Sequence, residues 1–324
     1  MSSAVRSGVG EFAFLRRLLP SLPQGAKVVT GPGHDAARVR VDGKDWLLTV
    51  DSQVEGIHFR LPWISWSALG RRSFRVGASD IAAMGGLARF VLVDCGVPRY
   101  VALCDLRRLE LALAREASQW GAFVVGGNLH RAEEFALVLA VIGEAPRQVV
   151  TRCGAMPGDL VVVTGTLGDA ALCVRLLEAG KPCPPSLRNR WRLPPRRDRF
   201  ARLLVARKLV SAMIDVSDGL VQDLQHICDA SGVGARLEIS SMPLSRAYRR
   251  VMGEDVSLAL AGGEDYELLF TVPPHKMPEV ERLSRREAVG VRVIGEVVPG
   301  RRVRFRTGGR QFRLERPGFD HFSP

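Results

Sequence analysis

Carboxylates recur beside glycines at points where the hydrophobic pattern predicts the ends of strands. The residues are Asp35 in GPGHDAA, Asp51 in TVDSQVEG, Asp80 in GASDIAAMGG, and Asp215 and Asp218 in IDVSDGL. A single Asp at such a place usually caps a turn or a helix, because its side chain accepts hydrogen bonds from nearby backbone N–H groups. Five together favour a shared Mg²⁺ site, since this ion takes oxygen ligands from a few carboxylates and from substrate phosphates.

Three glycine-rich stretches complement the carboxylates: GGN (126–128), TGTLGD (164–169) and GGED (262–265). Glycine lets backbone N–H groups approach a ligand closely, and two of the stretches are expected to precede helices whose N-termini favour anions. The sequence has no GxxxxGK[ST] motif, no GxGxxG that opens a βαβ unit and no protein-kinase motifs. These absences exclude the P-loop, Rossmann and protein-kinase modes of nucleotide binding.

Alternating strands and helices are predicted to position these residues in the N-terminal half. The predicted strands are KVVTG, ARVRV, DWLLTV, ARFVLVDCGV and FALVLAVIGE, and RRSFRVGASDIAAMGG is a predicted helix that ends at glycines. A longer helix is predicted from Leu103 to Trp120, because apolar residues recur there at helical spacing. AFVVGGN follows as a strand that is expected to stop at a Gly-Gly turn.

The C-terminal half repeats this order of elements. Its predicted strands include DLVVVTG, ARLEI, ELLFTV, VRVIGEV and VRFRT. The helix after Ser217 is expected to be capped by Ser217 or Asp218 and to end at Gly232. Helical and strand periodicity lapse between 146 and 158, which predicts two domains, 1–147 and 148–324.

Bulk composition agrees with an ordinary globular protein. The chain has 324 residues, of which 46% are hydrophobic, and this exceeds the usual size of one compact core. FALVLAVIG is too short to span a bilayer and the polar N-terminus lacks a secretory apolar region, so a soluble cytoplasmic protein is expected. The six cysteines form no CxxC pair, which predicts that most are reduced core residues and that disulfides and structural zinc are absent.

The formal net charge of +12 raises the alternative of nucleic-acid binding. The excess arginine lies in 187–204, a connection that leads into a helix, and in 301–316, which alternates Arg with apolar residues. Neither segment is accompanied by an RNA- or DNA-binding signature. A solvated basic face that attracts anionic substrates is the favoured interpretation.

In their order along the chain the motifs resemble the thiamine-phosphate kinase family, within the aminoimidazole-ribonucleotide-synthetase-like superfamily. The matching stretches are GPGHDAARV, LLTVDSQVEGIHF, SDIAAMGG, GGN, TRCGAMPGDLVVVTGTLGD, MIDVSDGL, ALAGGEDYELLF and GFDHF. The resemblance implies transfer of the γ-phosphate of ATP to thiamine monophosphate, giving thiamine diphosphate and ADP, with the help of several Mg²⁺ ions. It also implies an α/β (α+β) fold of two domains and a homodimer in which the N-terminal sheets of two subunits form a barrel.

The resemblance further implies a role for each matching residue. The implied metal ligands are Asp35, Thr49, Val50 through its backbone only, Asp51, Asp80, Asn128, Asp215 and Asp218. ATP would contact Gly127, Asn128, Arg152 and Ser217, and the substrate would contact His58, Glu264 and Phe319. Asp51, Asp80 and Asp215 would assist the transfer without a general acid or base, because the acceptor is already an ionised phosphate oxygen.

The sequence departs from the family pattern at three positions. His34 stands where an Asp is usual, Val50 where Thr or Ser is usual, and Asn128 where Asp is usual. Asn128 brings no negative charge, so one metal ion is expected to bind more weakly. Two other functions stay open, a non-catalytic protein that binds nucleotide or thiamine phosphate and a related superfamily enzyme such as a hydrogenase-maturation or selenophosphate-forming one. His58 either binds phosphate or braces its loop.

Overall fold

The computed structural model describes residues 10–307, 310–312 and 318, which fold into two domains with one mixed sheet each. The first sheet has the strand order β1-β2-β3-β6-β4-β5, in which only β4 and β5 are parallel neighbours. The elements of this domain are α1 (Glu11–Leu18), β1 (Val28–Thr30), β2 (Ala37–Val41), β3 (Lys44–Val54), α2 (Trp66–Ala83), β4 (Leu87–Val97), α3 (Leu103–Gln119), β5 (Phe123–Arg131) and β6 (Ala136–Glu144).

The second sheet has the order β13-β12-β9-β11-β7-β10-β8, and β12 and β9 are its parallel pair. Its strands are β7 (Leu160–Thr164), β8 (Ala212–Asp215), β9 (Gly234–Glu238), β10 (Leu268–Val272), β11 (Val291–Val298), β12 (Val303–Thr307) and β13 (Arg310–Phe312). Its helices are α4 (Asp169–Glu178), α5 (Pro185–Arg192), α6 (Asp198–Ala206), α7 (Leu220–Ser231), α8 (Arg246–Met252), α9 (Ser257–Ala261) and α10 (Met277–Glu287).

Helix α2 covers the inner face of the first sheet and also touches the second domain. It begins at the N-cap Ser65, whose hydroxyl accepts the N–H of Ala68. Gly70 lets α3 approach closely, because a Cβ there would lie 2.3 Å from the carbonyl oxygen of Leu109. Twelve of its eighteen residues are buried, which is more than a one-sided amphipathic helix needs and fits a helix between two layers. No helix within the described part of the chain is long and apolar enough to cross a membrane.

Strand β3 alternates strictly between its two faces, as the period of two requires. Leu47 and Gln53 are buried on the inner face, whereas Leu48 and Val50 are exposed on the outer face. The strand runs four residues beyond the predicted DWLLTV, so Asp51 lies within β3 and not at its end. Pairing with β6 continues as far as Val54, and these ladder hydrogen bonds outweigh the polar character of the segment.

Three further predictions of local structure are wrong. GGN is not a turn, since β5 runs through it to Arg131 and pairs Gly126 with Leu92 across a register shift. The arginine-rich connection contains the helix α5, which begins at Pro185, a residue favoured in the first helical turn. Helix α7 has Gly219 as its N-cap and no side-chain cap, although its C-cap is Gly232 as predicted.

Candidate active site

Three carboxylates from both domains converge at the domain boundary. Asp35 lies in the loop between β1 and β2, Asp80 in the last turn of α2, and Asp215 at the end of β8. One carboxylate oxygen of each lies within 4.8 Å of those of the other two. The structure therefore brings together three of the residues that the sequence predicted as metal ligands.

Hydroxyl groups and one guanidinium bind this carboxylate cluster. Thr49 Oγ1 donates to Asp80 Oδ2 at 2.6 Å, and Ser79 Oγ donates to Asp215 Oδ2 at 2.6 Å. Arg152 donates to Asp35 Oδ1 through Nη2 at 2.9 Å and through Nε at 3.2 Å. Asp35 Oδ2 is buried and has no hydrogen-bond partner among the residues that the structure describes. A buried oxygen without a hydrogen bond destabilises the fold unless another group binds it. This atom is therefore available as a ligand for a cation.

Burial raises the pKa values of the neighbouring carboxyl groups because it disfavours their charged forms. The pKa of Asp51 rises to about 6 and that of Asp215 to about 7, in the second case with a further increase from Asp35. The pKa of Asp80 rises well above its usual value through burial and then through repulsion from Asp215, Asp51 and Asp35. Oxygen ligands crowded in this way fit a hard cation such as Mg²⁺, which would offset their charge.

Asp51 lies on the same inner face of β3 as Thr49, beside α2. A Cβ at Gly77 would lie 3.8 Å from Asp51 Cβ and 3.0 Å from a methyl carbon of Val141. Glycine at this position therefore allows the helix that carries Asp80 to lie directly against the strand that carries Asp51.

A second acidic group lies at the start of α7. Ligand atoms of Asp218, Asp223 and His226 lie within 4.8 Å of one another. Asp223 Oδ2 accepts the backbone N–H groups of Ser217, Asp218 and Gly219 at 3.1 to 3.2 Å, and so it supports the loop before α7, the helix that Ser217 or Asp218 was expected to cap. Burial, followed by Arg152, lowers the pKa of His226 to about 4, which keeps its ring neutral at physiological pH.

The SDGL loop is joined to the GGED segment by main-chain hydrogen bonds. The N–H of Glu264 donates to the carbonyl oxygen of Ser217 at 2.7 Å, and that of Tyr266 donates to Val216 at 2.8 Å. Gly318, the first residue of GFDHF, lies against the same loop, since a Cβ there would be 3.0 Å from the carbonyl oxygen of Asp218. Phe319 follows directly but lies outside the described residues.

Glu264 is held by two side chains that sequence reasoning missed. Arg72 Nη2 donates to Glu264 Oε1 at 2.5 Å, and Trp191 Nε1 donates to Oε2 at 3.0 Å. Both partners are far from Glu264 in sequence. The one feature of the sequence that could have indicated this contact is an arginine on the apolar side of the predicted helix α2.

His58 braces its own loop, as one of the two interpretations of this residue proposed. Its Nδ1 accepts the backbone N–H of Val54 at 3.0 Å, which requires that nitrogen to be unprotonated. This contact fixes the ring orientation at the end of β3 and is compatible with a role of Nε2 in substrate binding, which stays a prediction.

Asn128 and Val50 lie on the outer face of the first sheet, opposite Asp51. Asn128 Nδ2 donates to Asp94 Oδ1 at 2.9 Å on the neighbouring strand, and the side chain of Val50 is 68% exposed. Gly127 pairs with Val93 in the same ladder. Within one subunit the structure does not bring Asn128 to the carboxylate cluster.

Three N–H groups of the TGTLGD stretch are bound to protein groups, although the sequence predicted that they would face a ligand. The N–H groups of Gly165, Leu167 and Gly168 donate to Gly290 O, Pro243 O and Asp265 Oδ2 at 2.9, 3.0 and 2.7 Å. This is also the only one of the three glycine-rich stretches that precedes a helix, α4, because GGN is followed by β6 and GGED by β10.

Most arginines between 187 and 204 are bound to protein groups, so this segment is not the solvated face that was expected. Arg190 and Arg197 both donate to the buried Glu267, Arg196 binds Asp198, and Arg192 donates to the carbonyl oxygen of Trp63 in the other domain. The basic connection therefore joins the two domains.

The whole chain resembles proteins of known family. The family described as AIR synthase related protein, N-terminal domain, matches residues 33–145, and its C-terminal domain family matches residues 156–308. The thiamine-monophosphate kinase of Aquifex aeolicus (strain VF5) is 33% identical over 87% of this chain and 94% of its own length.

Solved structures show the same relationship. One described as "AaThiL complexed with AMPPCP and TMP" has a TM-score of 0.85 and 31% identity, and covers 99% of this chain and 100% of that chain. E. coli HypE, a hydrogenase maturation protein, has a TM-score of 0.73 over 88% of this chain and 91% of its own, but its 21% identity shows the fold alone. This chain belongs to the thiamine-monophosphate kinase family of AIR synthase related proteins.

Proposed function

We propose that this protein phosphorylates thiamine monophosphate with ATP, giving thiamine diphosphate and ADP by direct in-line transfer of the γ-phosphate. The observation that carries the proposal is the buried carboxylate cluster of Asp35, Asp80 and Asp215 in a chain of this family. The similar solved structure described with AMPPCP, an ATP analogue, and TMP supports the choice of both substrates.

Several Mg²⁺ ions would be held by the carboxylate cluster together with Asp51, Asp218 and Thr49. When bound, they would neutralise phosphate charge, which two phosphate-bearing reactants need before they can approach each other. The unpaired oxygen of Asp35 and the excess of carboxylates over guanidinium groups support this assignment. Val50 would contribute only its backbone, because its side chain lies on the outer face.

The other site residues would bind and orient the two substrates. Arg152 and Ser217 would contact ATP beside the cluster, and His58 would hold the acceptor phosphate from the loop after β3. Glu264 would bind the thiamine moiety and Phe319 its aromatic part. No side chain needs to remove a proton, because the attacking phosphate oxygen is already ionised.

We propose a homodimer in which the outer faces of two N-terminal sheets form a barrel. This face exposes apolar side chains on β3 and β4, the two strands that flank β6: Leu48, Val50, Phe90 and Leu92 are between 37% and 68% exposed. A contiguous apolar surface of this kind is usually covered by a partner. Gly127 and Asn128 lie on the edge strand of the same sheet, so their contacts with ATP would be made at the dimer interface.

The two domains would divide the work at about residue 147. Residues 1–147 would bind ATP and Mg²⁺ and form the dimer, and residues 148–324 would complete the nucleotide and substrate site. Asp80 and Asp215 come from different domains, so the cluster exists only while the domains remain in contact.

One feature favours a second candidate, a protein that binds these ligands without turnover. Asn128 donates to Asp94 where the family usually has a carboxylate, so one ion would lose an anionic ligand. ADP formation should be followed with ATP, Mg²⁺ and thiamine monophosphate, with free thiamine as the control acceptor. The kinase should release ADP with the monophosphate alone, whereas calorimetric binding without ADP would favour the second candidate.

A further inference from the structure

Arg72 is a fully buried arginine that connects three separate parts of the chain. It lies on α2 with 0% of its surface exposed. Its Nε donates to Gln53 Oε1 on β3 at 3.0 Å, its Nη1 donates to the carbonyl oxygen of Trp191 at the end of α5, and its Nη2 donates to Glu264 Oε1 at 2.5 Å. The guanidinium also lies over the rings of Trp191 and Tyr266, 5.3 and 5.9 Å from their centroids.

Both the side chain and the backbone of Glu264 are held by hydrogen bonds. Arg72 occupies one carboxylate oxygen and Trp191 Nε1 the other. Its backbone has φ +69°, in the left-handed region, and its N–H is bound to Ser217. The side chain is nevertheless 23% exposed, so a fixed carboxylate faces outward from a buried cation.

We propose that Arg72 is a positioning residue, which fixes the carboxylate of Glu264 in the one orientation that accepts thiamine monophosphate. The inference rests on the proposed function, in which Glu264 contacts the thiamine moiety. A planar guanidinium paired with a carboxylate sets direction as well as charge, and burial strengthens the pair. Without Arg72, the carboxylate would turn toward solvent and lie in the field of neighbouring acids with no compensating cation.

The position of Arg72 on α2 extends this role from one contact to the whole site. Seven residues later on the same face of the helix, Ser79 donates to Asp215, and Asp80 follows it. One rigid helix therefore carries both Arg72, which holds the Glu264 carboxylate, and Ser79 beside the carboxylate cluster. The two positions are about 10 Å apart along the helix axis. Accurate placement of the acceptor relative to ATP depends on such rigid supports.

The test is a comparison of substrate-specific kinetics for Arg72→Gln, Arg72→Lys and Glu264→Gln, with Arg71→Gln as the matched control. Arg71 is the neighbouring arginine on α2, is 44% exposed and binds Glu116, which retains Arg75. We expect Arg72→Gln to raise KM for thiamine monophosphate about tenfold or more, as loss of a charge-assisted hydrogen bond implies, while KM for ATP changes less than about twofold. Lysine should restore part of the loss, and Arg71→Gln should resemble the natural protein.

A double variant separates positioning from general damage. If Arg72 acts through Glu264, Arg72→Gln should add little to KM in a Glu264→Gln background. Equal increases of KM for both substrates, or independent effects that multiply in the double variant, would overturn the proposal. If Arg72→Gln does not fold, Trp191→Phe, which removes the donor to Glu264 Oε2 and part of a buried ring but keeps an aromatic side chain, should raise the same KM by a smaller factor, and no change would overturn the proposal.

Calorimetry distinguishes failure of this inference from failure of the proposed function. If the natural protein binds thiamine monophosphate but releases no ADP, the kinase assignment fails, and weaker binding by Arg72→Gln would still support the positioning role. If Arg72→Gln binds the monophosphate as tightly as the natural protein does, the positioning role is wrong whatever the turnover. Failure of the natural protein to bind thiamine monophosphate at all would reject both.

Discussion

Asp35, Asp80 and Asp215 share a small volume with a single guanidinium, that of Arg152. Carboxylates in a poorly hydrated site raise each other's pKa values, and burial acts in the same direction. In the proposed function, bound Mg²⁺ ions would offset this unfavourable arrangement. The repulsion between these carboxylates should therefore be measurable, as a loss of stability, when no metal is present.

The stability of the metal-free protein should depend on Asp215 in a predictable direction. Its pKa is about 7 in the folded chain and near 4 in an unfolded one, so the folded chain binds more protons between these values. Its contribution to the free energy of unfolding should fall as pH rises through that window. Melting temperatures of the natural protein and Asp215→Asn, measured in a chelator from about pH 4 to 8, should diverge with rising pH in favour of the variant. Added Mg²⁺ should reduce the divergence, and parallel profiles would contradict it.

Replacement of Asp51 or Asp80 by an uncharged residue should reduce the rate of catalysis more than it reduces stability. Asp51→Asn or Asp80→Asn should lower turnover by roughly 10²-fold or more, about 3 kcal/mol of transition-state stabilisation. Steady-state kinetics at saturating ATP and Mg²⁺ would measure this loss. Asp105→Asn, on the exposed surface of α3, is the control and should be unaffected. A near-normal rate in either site variant would remove that residue from the site.

Replacement of Asn128 tests whether its position on the outer face belongs to the metal site. Asn128→Asp would place a second carboxylate against Asp94 in place of a donor, so the metal-free variant should melt at a lower temperature. If an ion binds there in the dimer, Mg²⁺ should restore the loss and the variant should need less Mg²⁺ for half-maximal rate. Melting that is insensitive to Mg²⁺ would mean that no ion binds at this position.

Local motifs predicted part of the site and could not predict the rest. Asp35, Asp80 and Asp215 were recognisable because each stands beside glycine at a turn or helix end, and the structure places them together. Arg72 and Trp191 bind Glu264 from 192 and 73 residues away in sequence. The Arg72 contact depends on how the two domains pack and the Trp191 contact on packing within the second domain, and a short sequence window contains no information about either.

At the scale of elements, α2 positions the site because it packs closely on α3 and on the first sheet. Its limits were predicted well at the C-terminal end, where Gly85 and Gly86 follow it, but its start at Trp66 was missed. GGN and the segment 185–192 were assigned wrongly because pairing with β4 and packing against α4 override local turn and charge signals.

Gly70→Ala tests the close packing of α2 on α3. Alanine normally favours a helix over glycine by about 1 kcal/mol, but here its Cβ would lie 2.3 Å from the carbonyl oxygen of Leu109. Overpacking of this kind costs roughly 1–3 kcal/mol, so chemical denaturation should show a lower free energy of unfolding. Gly25→Ala, where a Cβ would meet nothing within 4 Å, is the control. A Gly70→Ala protein at least as stable as the natural one would show that the helices can separate freely.

At the scale of the whole molecule, the site depends on two contacts between large parts. One is the contact between the domains, made by α2, the end of β8 and the segment from Arg192 to Pro194. The other is the proposed contact between subunits through the outer face of the first sheet. Alternating apolar and polar residues predicted the strands of that sheet, but the pattern alone did not show that its outer face remains uncovered in one subunit.

A charge in the centre of the outer face should prevent dimer formation. Leu92 is 42% exposed there, and Leu92→Glu would place a carboxylate in an interface that excludes water. Light scattering after size-exclusion chromatography should give the mass of a monomer for this variant and of a dimer for the natural protein. Leu103→Glu, at the exposed start of α3, is the control and should remain dimeric. A Leu92→Glu dimer would place the subunit contact elsewhere.

The central claim, direct transfer of a phosphoryl group at the carboxylate cluster, is tested most directly by following the γ-phosphate itself. ATP labelled in its γ-phosphate should be incubated with the protein, Mg²⁺ and thiamine monophosphate, and the products separated. The account predicts that the label appears in the terminal phosphate of thiamine diphosphate, in amounts equal to the ADP formed, and that Asp80→Asn transfers it roughly 10²-fold more slowly. Label found only in inorganic phosphate, or thiamine diphosphate formed at an unchanged rate by Asp80→Asn, would contradict it.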